Sequence, residues 1–324
     1  MAAVLEPIPP CEPELRDLRT FSAVQLESLL NEEAAEWRSI LDWDFGRSAD
    51  LVRRFVDLRA LNGAVLLEGR ICKGYCYYVF EEHKGLMGDL FVTPSLRSGD
   101  HELLLLERAV WEMIASPFLL RIESQLMLSP AYPESRLPYP EHLSLFRRNF
   151  MLADLRGVRE LPLRDMGNLV RFDSWADYYQ ESAAVLIEEA YQGHVDSSIN
   201  DQYRSVGGAR RFLYNIVNYP GCGVFCSPAS LVAVSSAGVL AGISLASMVN
   251  DRTGHITQIC VGPGHRGIGL GYELLRRSML RLVHEGCRRV SLTVTASNEE
   301  AIRLYERVGF RTVREFDACV WEGW

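Results

Sequence analysis

The sequence lacks the features that mark several large classes of protein. None of its apolar runs is long enough to span a bilayer, and the Gly-Lys-Ser/Thr pattern of a phosphate-binding P-loop does not occur. Its eight cysteines form no Cys-x-x-Cys pair and have no histidine cluster beside them, which argues against a zinc site. Lysine is almost missing, since the 34 cationic residues include only Lys73 and Lys84. With a net charge of −8 and no basic face, the chain has no mark of a protein that binds nucleic acid.

The N-terminus also lacks a leader pattern. Its first residues carry neither the basic start nor the apolar middle of a signal peptide, so we expect a cytoplasmic protein without a membrane partner. Several cysteines lie in apolar, strand-like segments, which favours reduced thiols in a core. What the chain does contain is 324 residues with an apolar content of 48%, enough for two domains with full-sized cores.

A glycine-rich turn between an apolar strand and an amphipathic helix is the strongest candidate for a binding site. It reads His265-Arg266-Gly267-Ile268-Gly269-Leu270-Gly271. Glycines in alternate positions let a ligand approach the backbone, and the N-terminus of the following helix attracts anions. Arg266 adds a permanent cation. The glycine spacing differs from the Gly-x-Gly-x-x-Gly of dinucleotide-binding domains, so the turn predicts a site for a different phosphate-bearing ligand.

The pattern Arg266-x-x-Gly269-x-Gly271 resembles the pyrophosphate-binding motif of the GNAT acetyltransferase superfamily. The flanking segments match as well, with Gly262-Pro263 before the motif and Asn298-x-x-Ala301-x-x-Leu304-Tyr305 to Val308-Gly309-Phe310 after it. The resemblance implies a mixed α/β (α+β) fold with a central sheet flanked by helices. It also implies acetyl-CoA as co-substrate, with no metal.

The resemblance carries roles to particular residues. The pantetheine arm of the cofactor would pair with the backbone of Ile259, Cys260 and Val261. The pyrophosphate would bind at Arg266, Gly267, Ile268, Gly269, Leu270 and Gly271. Asn298 would contact the cofactor, although capping of the following helix explains this asparagine as well. Cys260 is interpreted as a core thiol and not as a nucleophile.

Two residues are candidates for proton transfer. Tyr305 matches the family tyrosine placed near the sulfur as a general acid, with a plain core aromatic as the alternative. His255 stands at the start of the central strand, where histone-acetylating members have a glutamate, and is the candidate general base. A strand-end histidine without a role, or a water chain reached through Thr257 or Gln258, are the alternatives.

The acceptor site is predicted from the segment between the first two helices of the C-terminal half, which commonly walls the acceptor pocket in this superfamily. Glu189, His194 and Asp196, with the neighbouring Glu188, are the candidates for holding an amine. A solvated turn capped by Asp196 or Ser198 is the alternative.

An earlier segment repeats the pattern of strand, turn and helix. Laid without gaps on the later motif, Val92 falls on Val261, Pro94 on Pro263, Arg97 on Arg266 and Leu105-Leu106 on Leu274-Leu275. The chain is therefore interpreted as two GNAT-like domains in tandem, residues 1–155 and 156–324.

The first copy departs from the motif where the cofactor would bind. Asp100 and Glu102 stand in place of the second and third glycines, and two carboxylates there would repel a pyrophosphate. Leu145-Phe146, in a short helix predicted at 141–148, falls on Leu304-Tyr305 and lacks the phenolic hydroxyl. We expect residues 1–155 to keep the fold without catalysis, and residues 156–324 to bind acetyl-CoA.

The predicted function is an N-acetyltransferase that moves an acetyl group from acetyl-CoA to a primary amine of a small molecule or peptide, by direct attack in a ternary complex. A non-catalytic acyl-CoA sensor or interaction module is the alternative, and a longer acyl chain would differ only in the size of the pocket. The sequence does not identify the acceptor, and it leaves open a monomer or a homodimer.

Overall fold

The computed structural model describes residues 13–97 and 100–324. The first twelve residues, on which the interpretation of the N-terminus rested, lie outside this range. Within it, no helix is both long enough and apolar enough to cross a membrane.

The described residues form a mixed α/β structure, as predicted. The helices are α1 (Ala23–Leu41), α2 (Gly46–Asp57), α3 (His101–Ile114), α4 (Gln180–Tyr191), α5 (Asp196–Ile199), α6 (Val206–Asn218), α7 (Leu270–His284) and α8 (Glu299–Arg307). The strands are β1 (Glu14–Asp17), β2 (Asn62–Glu68), β3 (Ile71–Glu81), β4 (Lys84–Val92), β5 (Arg121–Gln125), β6 (Leu143–Asp154), β7 (Val170–Ser174), β8 (Val224–Phe225), β9 (Leu231–Ser235), β10 (Leu240–Met248), β11 (Thr253–Val261), β12 (Arg289–Thr295) and β13 (Arg311–Glu322).

The chain divides into two compact units. Of the described residues, the first contains 13–34, 49–97, 100–144 and 321–324, and the second contains 35–48 and 145–320. The main division therefore falls at 144/145 and not at the expected 155/156. Most of β6, which the sequence analysis placed in the first domain, belongs to the second unit, because its residues 148–154 pair along the whole of β12.

The second unit contains the predicted glycine-rich turn. Its strands follow one another in the order β13, β6, β12, β11, β10, β9, β7, with β8 on β10. Strands β11 and β12 pair in parallel, whereas the pairs β6–β12, β10–β11, β9–β10, β8–β10 and β7–β9 are antiparallel. Helix α7 connects them and buries a stripe at three- and four-residue spacing against the sheet, formed by Leu270, Leu274, Leu275, Met279 and Leu282. It ends before Gly286, whose φ of +92° provides the left-handed turn that stops a helix.

The repeat predicted from the sequence is present in both units. Strand β4 ends at Val92 and β11 at Val261, and helix α3 begins at His101 and α7 at Leu270, so both pairs are 169 residues apart (261 minus 92, and 270 minus 101). A short 3-10 turn follows the strand in each unit. The spacing that the two copies share also places an arginine against the last carbonyl of each strand. The Nε of Arg97 lies 3.0 Å from the carbonyl oxygen of Val92, and the Nε of Arg266 lies 3.4 Å from that of Val261.

The match ends after the first helix of each copy. The helix predicted at 141–148 was wrong, because Leu143–Asp154 is a strand, and Leu145-Phe146 therefore does not correspond to the helical Leu304-Tyr305. Leu143 and Leu145 alternate with the exposed Ser144, which is the two-residue period of a strand. The described residues between β5 and β6 contain only two short 3-10 turns.

Candidate active site

The strands β11 and β12 separate at the centre of the second unit. Their parallel pairing runs from Thr253 opposite Arg289 to Ile256 opposite Leu292, while β11 continues to Val261 and β12 to Thr295. On its other edge β11 stays paired with β10, with a bulge at Thr257, which lies between the paired residues Ile256 and Gln258. A bulge bends and twists a strand. Beyond Ile256 the edge of β11 is no longer paired with β12. This free edge, called the opening below, is of the kind with which an extended ligand can pair as an added strand.

The three residues predicted to line this opening alternate in direction. Cys260 is buried in the core formed with α4 and α6, and burial raises the pKa of its thiol to about 12. A thiol that keeps its proton is a poor nucleophile, in agreement with its interpretation as a core residue. Ile259 and Val261 are half-buried and pack towards α7. Backbone groups, not these side chains, are what β11 offers to a ligand.

The glycine turn leads directly into α7. Gly267 and Gly269 have φ values of +77° and +88°, a left-handed conformation that strains any residue with a Cβ. Gly269 is the residue before the helix and makes no side-chain cap, so the first amides of the 15-residue α7 point out of the turn. Free amides at the positive end of a helix dipole favour an anion, so this geometry is compatible with the anion site expected from the sequence.

The side chain of Arg266, which was expected to bind the pyrophosphate, donates hydrogen bonds to carbonyl groups of the protein. Its Nη2 donates to the carbonyl oxygen of Ala190 at 2.7 Å, in the last turn of α4. With the weaker contact to Val261, this bond ties the turn to α4 and β11. Arg266 thus positions the turn, and its charge lies near the carbonyls that it binds.

A second arginine, which sequence reasoning missed, lies against the turn. The Nε of Arg164 donates to the carbonyl oxygen of Ile268 at 3.2 Å, and a Cβ on Gly269 would lie 3.0 Å from the same nitrogen. The backbone N–H of Arg164 donates to the carboxylate of Glu273, in the first turn of α7. Burial alone would raise the pKa of Glu273, but hydrogen bonds from Arg276, Arg164 and Arg277 outweigh it, and the pKa is lowered. Arg164 precedes the turn by about a hundred residues, so no local motif marks it.

Tyr305 lies on α8, in the core behind the diverging strands. Burial raises the pKa of its hydroxyl, the carboxylate of Asp196 raises it further, and the guanidinium of Arg148 lowers it. The phenol therefore carries its proton at neutral pH, as a general acid must. The two charges that act on it also place Asp196 and Arg148 in its neighbourhood.

His194, Asp196 and Asn298 come together as one polar network. The Oδ1 of Asp196 accepts from the hydroxyl of Thr295 at the end of β12. His194 Nδ1 lies 3.1 Å from the backbone nitrogen of Asp196, and its Nε2 lies 3.2 Å from Nδ2 of Asn298. Asn298 also caps α8, because its Oδ1 accepts from the N–H of Ala301. Capping of α8, the second explanation that the sequence analysis offered for Asn298, is therefore present in the structure.

Two stacked tyrosines form a wall beside this network. The rings of Tyr191 and Tyr203 lie 4.4 Å apart. The hydroxyl of Tyr203 donates to Oε1 of Gln258 at 3.3 Å, and Nε2 of Gln258 donates to the hydroxyl of Tyr191 at 3.1 Å. Gln258, on β11, connects the wall to the opening between the strands. No motif in the sequence marks Tyr203, which lies in a short 3-10 turn after α5.

Two predicted residues lie apart from the others. Glu189 is exposed on α4 and takes no part in the network. His255 lies in the paired part of β11, where its Nδ1 is 2.9 Å from the hydroxyl of Ser291 and its ring packs on Trp43 and Phe150. Burial lowers the pKa of His255 to about 3. An enclosed, weakly basic imidazole is a poor general base, so these contacts argue against the role that the sequence suggested.

Comparison with known proteins points to one family. Residues 195–310 match the model of the Acetyltransferase (GNAT) family. The mycothiol acetyltransferase of Corynebacterium jeikeium is 36% identical over 63 residues, which are 19% of this chain and 18% of that protein. The streptothricin acetyltransferase of Streptomyces lavendulae is 40% identical over 83 residues, 25% of this chain and 43% of that protein. The matched stretch thus spans less than half the length of either relative.

Solved structures resemble the chain over nearly its whole length. A GCN5-related N-acetyltransferase from Sphaerobacter thermophilus has a TM-score of 0.67 at 18% identity, over 97% of this chain and 96% of its own. A tandem GNAT protein from the clavulanic acid biosynthesis pathway has a TM-score of 0.60 at 18% identity, over 96% of this chain and 98% of its own. At such identity these similarities establish the fold.

Proposed function

We propose that the second unit, in which residues 195–310 match the GNAT acetyltransferase family, transfers an acetyl group from acetyl-CoA to a primary amine. One observation carries the proposal. The edge of β11 that has parted from β12 leads into the left-handed glycine turn and the first amides of α7, and Ile259 of this strand packs against the core cluster that contains Tyr305, which keeps its proton.

The residues present fit acetyl-CoA. The edge of β11 from Thr257 to Val261 suits the two amides of a pantetheine arm, which pair as an added strand does. The left-handed glycines and the first amides of α7 suit a diphosphate, with Arg164 beside them as a further cation. Bound there, acetyl-CoA supplies the acetyl group as a thioester. A backbone N–H of β11 between residues 259 and 261 would polarise the carbonyl of that thioester.

The acceptor amine would bind on the side of the sheet formed by the polar network. Asp196 offers a carboxylate to an ammonium group, and the Tyr191–Gln258 pair lies beside it. His194, whose Nδ1 is 3.9 Å from Oδ2 of Asp196, takes the place of His255 as the group that accepts the proton from the amine. The amine nitrogen then has a free electron pair with which to form the bond to the acetyl carbon.

Tyr305 would donate the proton that the sulfur requires when its bond to the acetyl carbon breaks. An ammonium gives up two protons in becoming an amide. One replaces the proton that Tyr305 has donated, and the other leaves to solvent through His194. The products are the N-acetylated acceptor and free coenzyme A, and no enzyme residue is acetylated.

Replacement of Tyr305 by phenylalanine tests the proposal. The change keeps the ring in the core and removes only the hydroxyl. We expect turnover, measured as free thiol released from acetyl-CoA, to fall by about 100-fold, the usual contribution of a general acid. Calorimetric binding of acetyl-CoA should be unchanged.

Tyr214→Phe is the matched control, because Tyr214 is an exposed tyrosine on α6 and removal of its hydroxyl should leave turnover unchanged. If the unaltered protein binds acetyl-CoA but acetylates none of a broad panel of amines, amino acids and peptides, the chain is a sensor and the proposal is wrong. Equal turnover of Tyr305→Phe and the unaltered protein would remove Tyr305 from the mechanism.

A further inference from the structure

Arg148 lies on β6, next to the diverging end of β12. It pairs directly opposite Thr295, the residue whose hydroxyl binds Asp196. In an antiparallel pair, opposite residues share a face of the sheet, so Arg148 and Thr295 point to the same side. The Nη2 of Arg148 also lies 3.4 Å from the hydroxyl of Thr293, which is on that side as well. Arg148 therefore belongs to the face that carries the polar network.

The guanidinium of Arg148 is buried without a counter-ion. The residue is 9% exposed, and its Nε is buried with no hydrogen-bond partner. Across residues 13–97 and 100–324 it forms no ion pair, and its one hydrogen bond is the long contact to Thr293. Arginine stays protonated in proteins, so this charge cannot be avoided by loss of a proton. A buried charge without a partner is costly and usually marks a place where a partner binds.

The other buried arginines of the described chain show the contrast. Arg121 contacts the carboxylates of Glu123 and Glu322, and Arg276 makes two hydrogen bonds to Glu273. Each of them thus has at least one carboxylate of the protein itself. Arg148 alone among these three has none. The guanidinium of Arg148 thus lacks the negative partner that the other two have, and a ligand could supply it.

The charges around the site are separated. Both Arg148 and Asp196 act electrostatically on the hydroxyls of Tyr203 and Tyr305, yet they form no ion pair with each other. A cation and a carboxylate thus lie on the same face, around the position of acetyl transfer. A ligand that carries a positive and a negative group can satisfy both.

We propose that the acceptor amine also carries an anionic group, a carboxylate or a phosphate, which binds Arg148 while the ammonium faces Asp196. This inference rests on the proposed function, because it assigns a role to one wall of the same site. It makes Arg148 a residue that determines which amines are accepted. It also places a substrate contact on a strand that the sequence analysis had placed in the non-catalytic domain.

Matched pairs of acceptors test the inference. Each of the common α-amino acids is compared with its amide, and glucosamine 6-phosphate with glucosamine, by thiol release from acetyl-CoA. A buried site that is built to bind a charged group strongly rejects the analogue without it, so we expect kcat/KM to be about 100-fold higher for the anionic member of one series. The series that shows the preference tells whether the anion is a carboxylate or a phosphate.

Variants of two adjacent arginines attribute the preference to one side chain. Arg148→Met should lower kcat/KM for the anionic acceptors far more than for the neutral ones, so that the preference is lost, and Arg148→Lys should restore part of it. Arg147→Met is the control, since Arg147 is half-exposed and pairs with Asp317 instead. Calorimetry with acetyl-CoA should give the same affinity for all three variants. Thermal unfolding should show no loss of stability in Arg148→Met, because the arginine that it removes has no counter-ion.

Several outcomes contradict the inference. Equal kcat/KM for both members of every pair would overturn it and leave the proposed function standing. A loss of the same factor for neutral and anionic acceptors in Arg148→Met would show that Arg148 acts on the tyrosines or on folding instead. Binding of acetyl-CoA without thiol release from any acceptor would overturn the proposed function, and the inference with it.

Discussion

His255 is held neutral inside the second unit by Trp43, Phe150 and Ser291. Its pKa is about 3 in the folded protein, against 6.5 for an ordinary histidine. Between these two values the unfolded chain binds a proton that the folded chain does not. The free energy of unfolding therefore falls as the pH drops through this window, by up to about 1.4 kcal/mol per pH unit from this residue.

We expect His255→Asn to weaken this acid sensitivity. Denaturant unfolding at pH 6.5, 5.5 and 4.5 should show a smaller drop in the variant than in the unaltered protein. An asparagine can keep the hydrogen bond to Ser291, although it loses ring packing and lowers stability at pH 6.5. His284→Asn, at an exposed position on α7, should leave the pH dependence unchanged. An identical acid slope for His255→Asn would contradict the assignment.

Other single residues show where sequence reasoning reaches its limit. Tyr305 and the glycines of the turn could be proposed from the sequence because a local motif contains them. Arg148, Arg164 and Tyr203 were missed, because each comes from a distant segment that only the fold brings to the site. His255 was misjudged for a related reason: its position in the strand could be predicted, but the ring of Trp43 that encloses it comes from more than two hundred residues earlier.

At the scale of elements, the turn before α7 makes a sharp prediction about glycine. A Cβ at Gly269 would impose both a left-handed φ of +88° and a contact of 3.0 Å with Arg164. We expect Gly269→Ala to lower the free energy of unfolding by about 1–2 kcal/mol. Calorimetry should also show about tenfold weaker binding of acetyl-CoA, because the turn must shift away from the N-terminus of α7.

Gly264→Ala is the control for that change. Gly264 precedes the same turn, its φ lies outside the left-handed range, and an added Cβ would have no atom within 4 Å. Its stability and its affinity for acetyl-CoA should match those of the unaltered protein. If both variants bind acetyl-CoA as tightly as the unaltered protein, the turn is not the diphosphate site.

The elements themselves were predictable to different degrees. The order of strand, turn, helix, strand and helix from β11 to α8 follows from apolar periodicity and glycine positions, and the structure confirms it. The helix at 141–148 failed because Leu143 and Leu145, on either side of the exposed Ser144, have the two-residue period of a strand. The separation of β11 from β12 is not visible in the sequence, since both segments have ordinary strand patterns on either side of it.

At the scale of the whole molecule, the two copies of the motif predict a single binding site. In the first unit, Glu102 stands where Gly271 stands in the second, and its carboxylate contacts Arg97 at 3.5 Å and the hydroxyl of Tyr132 at 2.5 Å. Asp100, in place of Gly269, contacts Arg136. The position that would hold a diphosphate already holds the carboxylates of the protein, which bind its nearby cations.

Calorimetric titration of the full chain with acetyl-CoA should therefore give one site per chain. Glu102→Gln should leave both the stoichiometry and the affinity unchanged. Gly271→Glu, which places the same acid in the second copy, should abolish binding because it puts a charge next to the diphosphate. A measured stoichiometry of two would show that the first unit has kept its site.

Each unit is made of separate stretches of the chain, so the protein cannot be divided into its two units by a single cut. A duplicated domain that no longer reacts is ordinarily dispensable. Here the second unit takes Trp43 from residues 35–48, and Arg148 and Phe150 from the strand that ends the apparent first copy. A deletion at the boundary visible in the sequence would remove a wall of the pocket and the cover of His255 together. The segment assigned to the first copy therefore supplies parts of the second unit, whether or not the first unit binds a ligand of its own.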